Sequence, residues 1–98
     1  MRLIWSPLAV EKVRDIAEYI ALDKPIAAEH WANDIFDSVG RLVELPQSGR
    51  IVPEIKRPDI REILKGNYRI IYKVKESTIL ILTVKSYRQL LKSEEIQL

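Results

Sequence analysis

Arg50, Lys56, Arg57, Arg61, Arg69, Lys73, Lys85 and Arg88 are the residues of this chain whose types could do chemistry, with Tyr68, Tyr72 and Tyr87 near them in sequence. Cations interleaved with aromatic rings can hold phosphates and stack bases. The same cations could hold an acidic polypeptide, or simply solvate an exposed sheet face. If they cleaved RNA, lysine, arginine or tyrosine would have to serve as acid, base and charge stabiliser. That chemistry requires neighbouring cations to depress a lysine or tyrosine pKa.

Other chemistries find little support. His30 is the only histidine and there is no cysteine, so a zinc site is not expected. No glycine-rich run precedes a helix to cradle a phosphate. No motif places a histidine base beside a serine. Neither a cofactor nor a metal is expected. His30 reads as a solvated residue, and Trp5 and Trp31 as core.

Charge is unevenly spread. Residues 1–49 carry five Lys/Arg against eight Asp/Glu, a net of −3, and residues 50–98 carry eleven against six, a net of +5. An anionic partner is therefore expected on the second half. Hydrophobic residues make up 47% and charged residues 31% of the 98, the balance of an ordinary globular domain. One domain over residues 1–98 is expected. The N-terminus shows no signal-peptide pattern and no apolar run is long enough to span a bilayer, so a cytoplasmic protein without membrane contact is expected.

The cations are positioned by a hairpin, Ile60 to Val74, turning at Lys65-Gly66-Asn67. In its second strand Tyr68, Ile70, Tyr72 and Val74 fall on one face, and Arg69, Ile71 and Lys73 on the other. Arg61 and Glu62 point to opposite faces. A buried Glu62 would need a partner, with Arg69 or a backbone amide as candidates. Gly49-Arg50 reads as a turn within a loop from Gln47 to Pro58, with Arg50 free to pair with Glu54. Thr78 to Val84 is apolar on both faces, as a central strand would be.

The first half supplies support. Arg2 to Trp5 reads as a strand. Ser6-Pro7 starts a helix running to about Leu22, its apolar stripe formed by Ala9, Val13, Ile16, Ala17 and Ile20. Asp23 reads as the cap of a second helix, roughly Ile26 to Leu45, which Pro46 ends. So short a connection makes the two helices antiparallel. Lys85 to Leu98 reads as a tail, with a short helix from Ser86 to Lys92 and a poorly ordered end. The fold class is α+β: β-α-α-β-β-β, a helical hairpin packed on one face of an antiparallel sheet whose other face stays partly open.

Ordered motifs along nearly the whole chain resemble the RelE/ParE superfamily of type II toxin–antitoxin toxins, often described as plasmid stabilisation proteins. They are W-S-P-L-A at Trp5–Ala9, I-A-E-Y-I at Ile16–Ile20, D-K-P-I-A-A at Asp23–Ala28 and L-P-Q-S-G-R at Leu45–Arg50. V-P-E at Val52–Glu54, I-R-E at Ile60–Glu62, G-N-Y-R-I-I-Y at Gly66–Tyr72 and V-K-S-Y-R at Val84–Arg88 continue the series. The resemblance implies a growth-inhibiting toxin neutralised by a cognate antitoxin, in a hetero-oligomer with it. It also implies one of two targets. RelE-like members cut mRNA on the ribosome, whereas ParE-like members bind DNA gyrase and are not nucleases.

For the cleaving branch the resemblance supplies Arg69, at the family's transition-state arginine, and Arg61, at one basic position of the preceding strand. Lys73, Tyr87 and Arg88 complete that candidate site. The match is partial. Ile63 stands at the second basic position, Lys85 replaces a common histidine, and the end of the chain has no tyrosine or histidine. The reading is therefore ParE-like inhibition of gyrase. Arg50, Lys56, Arg57, Arg61, Arg69, Lys85 and Arg88 form the expected antitoxin- or target-binding surface. An mRNA interferase and a non-toxic, antitoxin-binding member are the alternatives.

Overall fold

The computed structural model describes residues 1–96. Five strands and two helices follow in the order β1 (Arg2–Trp5), α1 (Pro7–Ala21), α2 (Pro25–Gly40), β2 (Arg50–Ile51), β3 (Ile60–Lys65), β4 (Tyr68–Lys75) and β5 (Thr78–Ser86). Short 3₁₀ turns lie at Arg41–Val43 and Ser93–Ile96. The sheet order is β1-β5-β4-β3-β2. No helix among the described residues is long and apolar enough to cross a membrane.

Ser6 begins α1 as its type predicts. Its hydroxyl accepts the Ala9 N–H at 3.0 Å and donates to the Leu82 carbonyl at 2.8 Å, so one side chain caps the helix and ties it to β5. Such a cap contributes about 1 kcal/mol. Asp23 does not cap α2. Lys24 holds that position and makes no side-chain cap bond, with Pro25 starting the helix. Regular α2 stops at Gly40, five residues before the expected end, and tightens into the 3₁₀ turn.

The sheet is mixed rather than wholly antiparallel, because β1 pairs parallel to β5, Leu3 opposite Ile79. The helical hairpin and then β2, β3 and β4 intervene between the two, ample length for the connection that a parallel neighbour needs. Arg50–Ile51 forms a short edge strand against Glu62 and Arg61, not a turn. The β3–β4 hairpin turns at Gly66-Asn67, where Gly66 takes φ +58, a conformation that suits glycine.

Two apolar clusters sandwich the sheet. On the helix side Ala9, Val13, Ile35, Val39 and Leu42 pack against Ile70, Tyr72, Ile79, Ile81 and Val84. Trp5 and Trp31 join this layer, half-buried, with Trp5 edge-on to Phe36 and Trp31 edge-on to Tyr68. The opposite face is not open. Val52, Ile60, Ile71, Leu82 and Leu91 cluster there with Ile55 and Ile96 against them. A register shift between Ile71 and Tyr72 lets Leu82 join that side. Thus the loop after β2 and the tail cover the second face. The expected Ser86–Lys92 helix is absent: β5 runs on to Ser86, and the tail is a turn followed by the 3₁₀ segment. Of the end read as poorly ordered, residues 93–96 form that segment, and Gln97 and Leu98 lie outside the described residues.

Tyr72 fastens the loop before β2. Its hydroxyl donates to the Pro46 carbonyl at 2.8 Å and accepts the Gly49 N–H at 3.0 Å. A Cβ on Gly49 would stand 2.6 Å from both the Glu62 carbonyl oxygen and the Tyr72 hydroxyl, so the approach requires glycine. Gly49→Ala should destabilise the fold by about 1–3 kcal/mol through overpacking. Tyr72→Phe should cost about 1–3 kcal/mol by stranding a buried donor. Urea denaturation of each variant measures both.

Candidate functional site

Arg69 enters the sheet interior because the period of β4 turns it to the tail side, beneath the segments that cover that face. Its side chain is 5% exposed. A guanidinium so placed must have its N–H groups answered, and four hydrogen bonds do so. Nε donates to Glu62 Oε1 at 2.6 Å. Nη1 and Nη2 donate to the two Glu54 oxygens at 2.7 and 2.9 Å, and Nη1 also reaches the Gln89 carbonyl at 2.7 Å. The grip on Glu54 is bidentate, the strong geometry for an arginine–carboxylate pair.

The network continues outward in alternating sign. Glu62, fully buried, accepts Arg50 Nε at 2.6 Å on its second oxygen. Glu54 also accepts the Leu91 N–H at 2.8 Å. Lys85 stands directly across from Arg69 on β5 and holds Glu95 at 2.5 Å. Two like charges facing each other across strands repel. Here Glu54 and Glu95, brought from the loop and the tail, neutralise the pair.

The carboxylates respond to these cations. The Arg69 hydrogen bonds, aided by the Leu91 N–H, outweigh partial burial and lower the Glu54 pKa to about 2. Burial alone would raise Glu95, but the Lys85 hydrogen bond and the Lys92 N–H carry it below its ordinary value. Burial alone would lower Arg69, and the two glutamates more than reverse it. Burial raises the Tyr72 phenol, partly offset by the Gly49 N–H.

The remaining cations lie elsewhere. Arg61 shares the helix-side face with Tyr72, its strand partner, and donates to the Pro58 and Gly49 carbonyls at 3.0 and 2.9 Å. Among the described residues no carboxylate pairs with it. Arg57 grips Asp59 in two bonds of 3.0 and 2.7 Å at the surface. Lys56 is exposed at φ +58. Lys73 is half-buried opposite Ile60 and helps lower Asp59, after the larger effect of Arg57. Tyr87 and Arg88 lie on the exposed turn after β5, where Arg88 Nε donates to the Tyr87 hydroxyl at 2.9 Å. The structure does not gather Arg61, Arg69, Lys73, Tyr87 and Arg88 into one open cleft.

Arg69 meets Glu62 as the alternation of β3 and β4 suggests. Arg50, however, takes Glu62 and not Glu54, because β2 runs beside β3 with Arg50 opposite Glu62. Glu54, Gln89 and Glu95 are the residues that sequence reasoning missed. The Val-Pro-Glu motif held Glu54 in view, but its partner lies across a loop no periodicity describes. His30 is exposed on α2.

Arg69→Ala should cost about 3–5 kcal/mol, since it leaves Glu62 buried with Arg50 alone. Arg69→Met with Glu62→Leu should recover most of that loss in the same denaturation assay. Glu54 has a lowered folded pKa, so its contribution is complete above its ordinary pKa of 4.5 and fades as pH falls toward 2. Thermal midpoints between pH 5 and pH 2 should fall less in Glu54→Gln than in the parent chain.

Comparison with known proteins joins this geometry to a family. No curated protein matches the chain. Among solved structures, a chain from the chromosomal ParDE toxin–antitoxin system of P. aeruginosa superposes with a TM-score of 0.75 at 24% identity, covering 88% of this chain and 95% of that one. The likeness shows that the α+β fold is shared. Residues 3–91 match the model of the ParE toxin of the type II toxin–antitoxin system parDE, and the chain belongs to that family.

Proposed function

We propose that this ParE-family chain inhibits growth by binding DNA gyrase, does not cut RNA, and is neutralised by a cognate antitoxin. One observation carries the preference for binding over cleavage. Arg69, the cation aligned with the cleaving branch's charge stabiliser, already holds two carboxylates and a carbonyl. A phosphoryl transition state needs donors aimed at a vacant position. Recruiting Arg69 would mean displacing Glu54 and exposing a buried ion network.

Arg50, Lys56, Arg57, Arg61 and Arg88 are the part of the expected binding surface that keeps contact with water, Arg50 and Arg57 while paired with Glu62 and Asp59. Arg69 and Lys85 are buried against the chain's own glutamates. An antitoxin or target meets the first group directly. Such contacts are screened by salt.

Expression of the chain alone should arrest growth, and co-expression of its antitoxin should restore it. Purified gyrase should lose supercoiling activity when the chain is added. Codon-spaced cutting of ribosome-bound mRNA, abolished by a folded Arg69→Lys variant, would instead establish the interferase alternative. Normal growth at confirmed expression would leave the non-toxic member. The antitoxin complex should weaken about tenfold or more between 50 and 500 mM salt if cations dominate the contact; calorimetric titration across that range measures it.

A further inference from the structure

Among the described residues β1 has a strand on one side only. The Arg2 and Ser6 N–H groups donate to the Ser77 and Ile81 carbonyls at 2.8 and 2.9 Å. Even-numbered residues of β1 therefore face β5, and the N–H and C=O groups of Leu3 and Trp5 point away from the sheet. Such an edge pairs with another chain unless a charge, a proline or a bulge blunts it. Within β1 only Arg2 is charged, at one end, and Ile4 is 36% exposed. One face of α2 is open beside this edge. Phe36 lies against Trp5, at the level of Ile81, whereas Trp31 lies against Tyr68, at the level of Ser86. Hence α2 runs against the direction of β1. Phe36, Asp37, Gly40, Arg41 and Glu44 line a shallow hollow of about 530 Å³ on that face. Phe36 is 51% exposed, and a Cβ on Gly40 would meet nothing within 4 Å. Asp37 and Arg41 are exposed and, among the described residues, form no ion pair.

We propose that the β1 edge and this face of α2 form a twofold interface between two copies of this chain. The occupant follows from self-complementarity, which a twofold contact demands. With the axis at Ile4 and the two β1 strands antiparallel, Leu3 of each copy lies opposite Trp5 of the other. These are the two residues whose backbone groups point outward, so each pair exchanges both of its hydrogen bonds. Their side chains share the helix side, and Ile4 meets Ile4 on the opposite face. Arg2 falls opposite Ser6, and the two Arg2 residues stay about 13 Å apart, so no like charges confront each other. The same axis crosses α2 about two residues beyond Phe36, given the rise of helix against strand. Phe36 of one copy then enters the hollow at Gly40 of the other, and Asp37 of each meets Arg41 of the other. The interface uses none of the cations of the second half and does not depend on which target the chain inhibits.

Sedimentation velocity of the full chain over a concentration series tests this with charge swaps at two exposed positions that leave the core untouched. The parent chain should move from monomer to dimer as concentration rises. Asp37→Arg and Arg41→Asp should each weaken the dimer by at least about tenfold, because both ion pairs become repulsions. Mixing the two variants should restore dimers, since every cross-pair is then attractive, and the double swap should dimerise by itself. A purely structural role for either residue predicts no such rescue. Because the chain has no cysteine, Ile4→Cys places a single thiol on the axis, at a spacing that suits a disulfide. Mild oxidation should link it into a dimer, whereas Arg2→Cys should stay unlinked. A parent chain that remains monomeric throughout would overturn the proposal. So would single swaps as dimeric as the parent, a mixture that stays monomeric, or equal cross-linking of the two thiol variants.

Discussion

A guanidinium buried in a sheet face imposes conditions on everything packed around it. Arg69 retains its charge at neutral pH, and an isolated charge out of water costs far more than the fold can spare. Glu62 answers it from the neighbouring strand, Glu54 from the loop after β2, and Gln89 from the tail. Three segments, 7, 15 and 20 residues away in sequence, therefore converge on one side chain. Removing Arg69 alone and replacing it together with a glutamate partner differ in consequence, because only the first leaves a buried carboxylate under-compensated.

The two faces of the sheet are built from different physics. The helix side is an apolar layer in which Ser6 and Tyr72 supply the few polar ties. The tail side mixes a small apolar cluster with alternating charges. An apolar layer is held by buried area and close packing, and tolerates side chains of similar volume at modest cost. The charged layer is directional, and each cation selects a partner of matching geometry. The helix side is thus held by packing, and the tail side by a small apolar cluster with paired charges. The contrast also separates neutralised cations from those still available at the surface, a distinction net charge does not make.

Much of the fold was legible because its signals are local. Ser6-Pro7 marks the start of α1, Gly66-Asn67 the hairpin turn, and the uninterrupted apolar run after Thr78 the central strand. Alternation in β3 and β4 put Arg69 and Glu62 within reach of each other. The errors fall where local rules compete. Asp23 suited a helix cap, but the helix begins at Pro25 and the boundary falls after Lys24. The tail resembled a short helix, yet β5 kept its ladder to Ser86 because β4 continued opposite it.

Sequence alone determined the order of the two helices and of four of the five strands, the apolar stripe of α1, the basic second half and the likeness to the family, since each depends on residue type and spacing. Only the tertiary structure decided that β1 joins β5 in parallel, that loop and tail close the second face, and that Glu54 and Glu95 neutralise Arg69 and Lys85. The physical reason is range. Periodicity and capping act over a few residues, whereas Glu54 meets Arg69 across 15 residues and Leu91 across 37. Such pairings are chosen by which charges the packed sheet leaves without water.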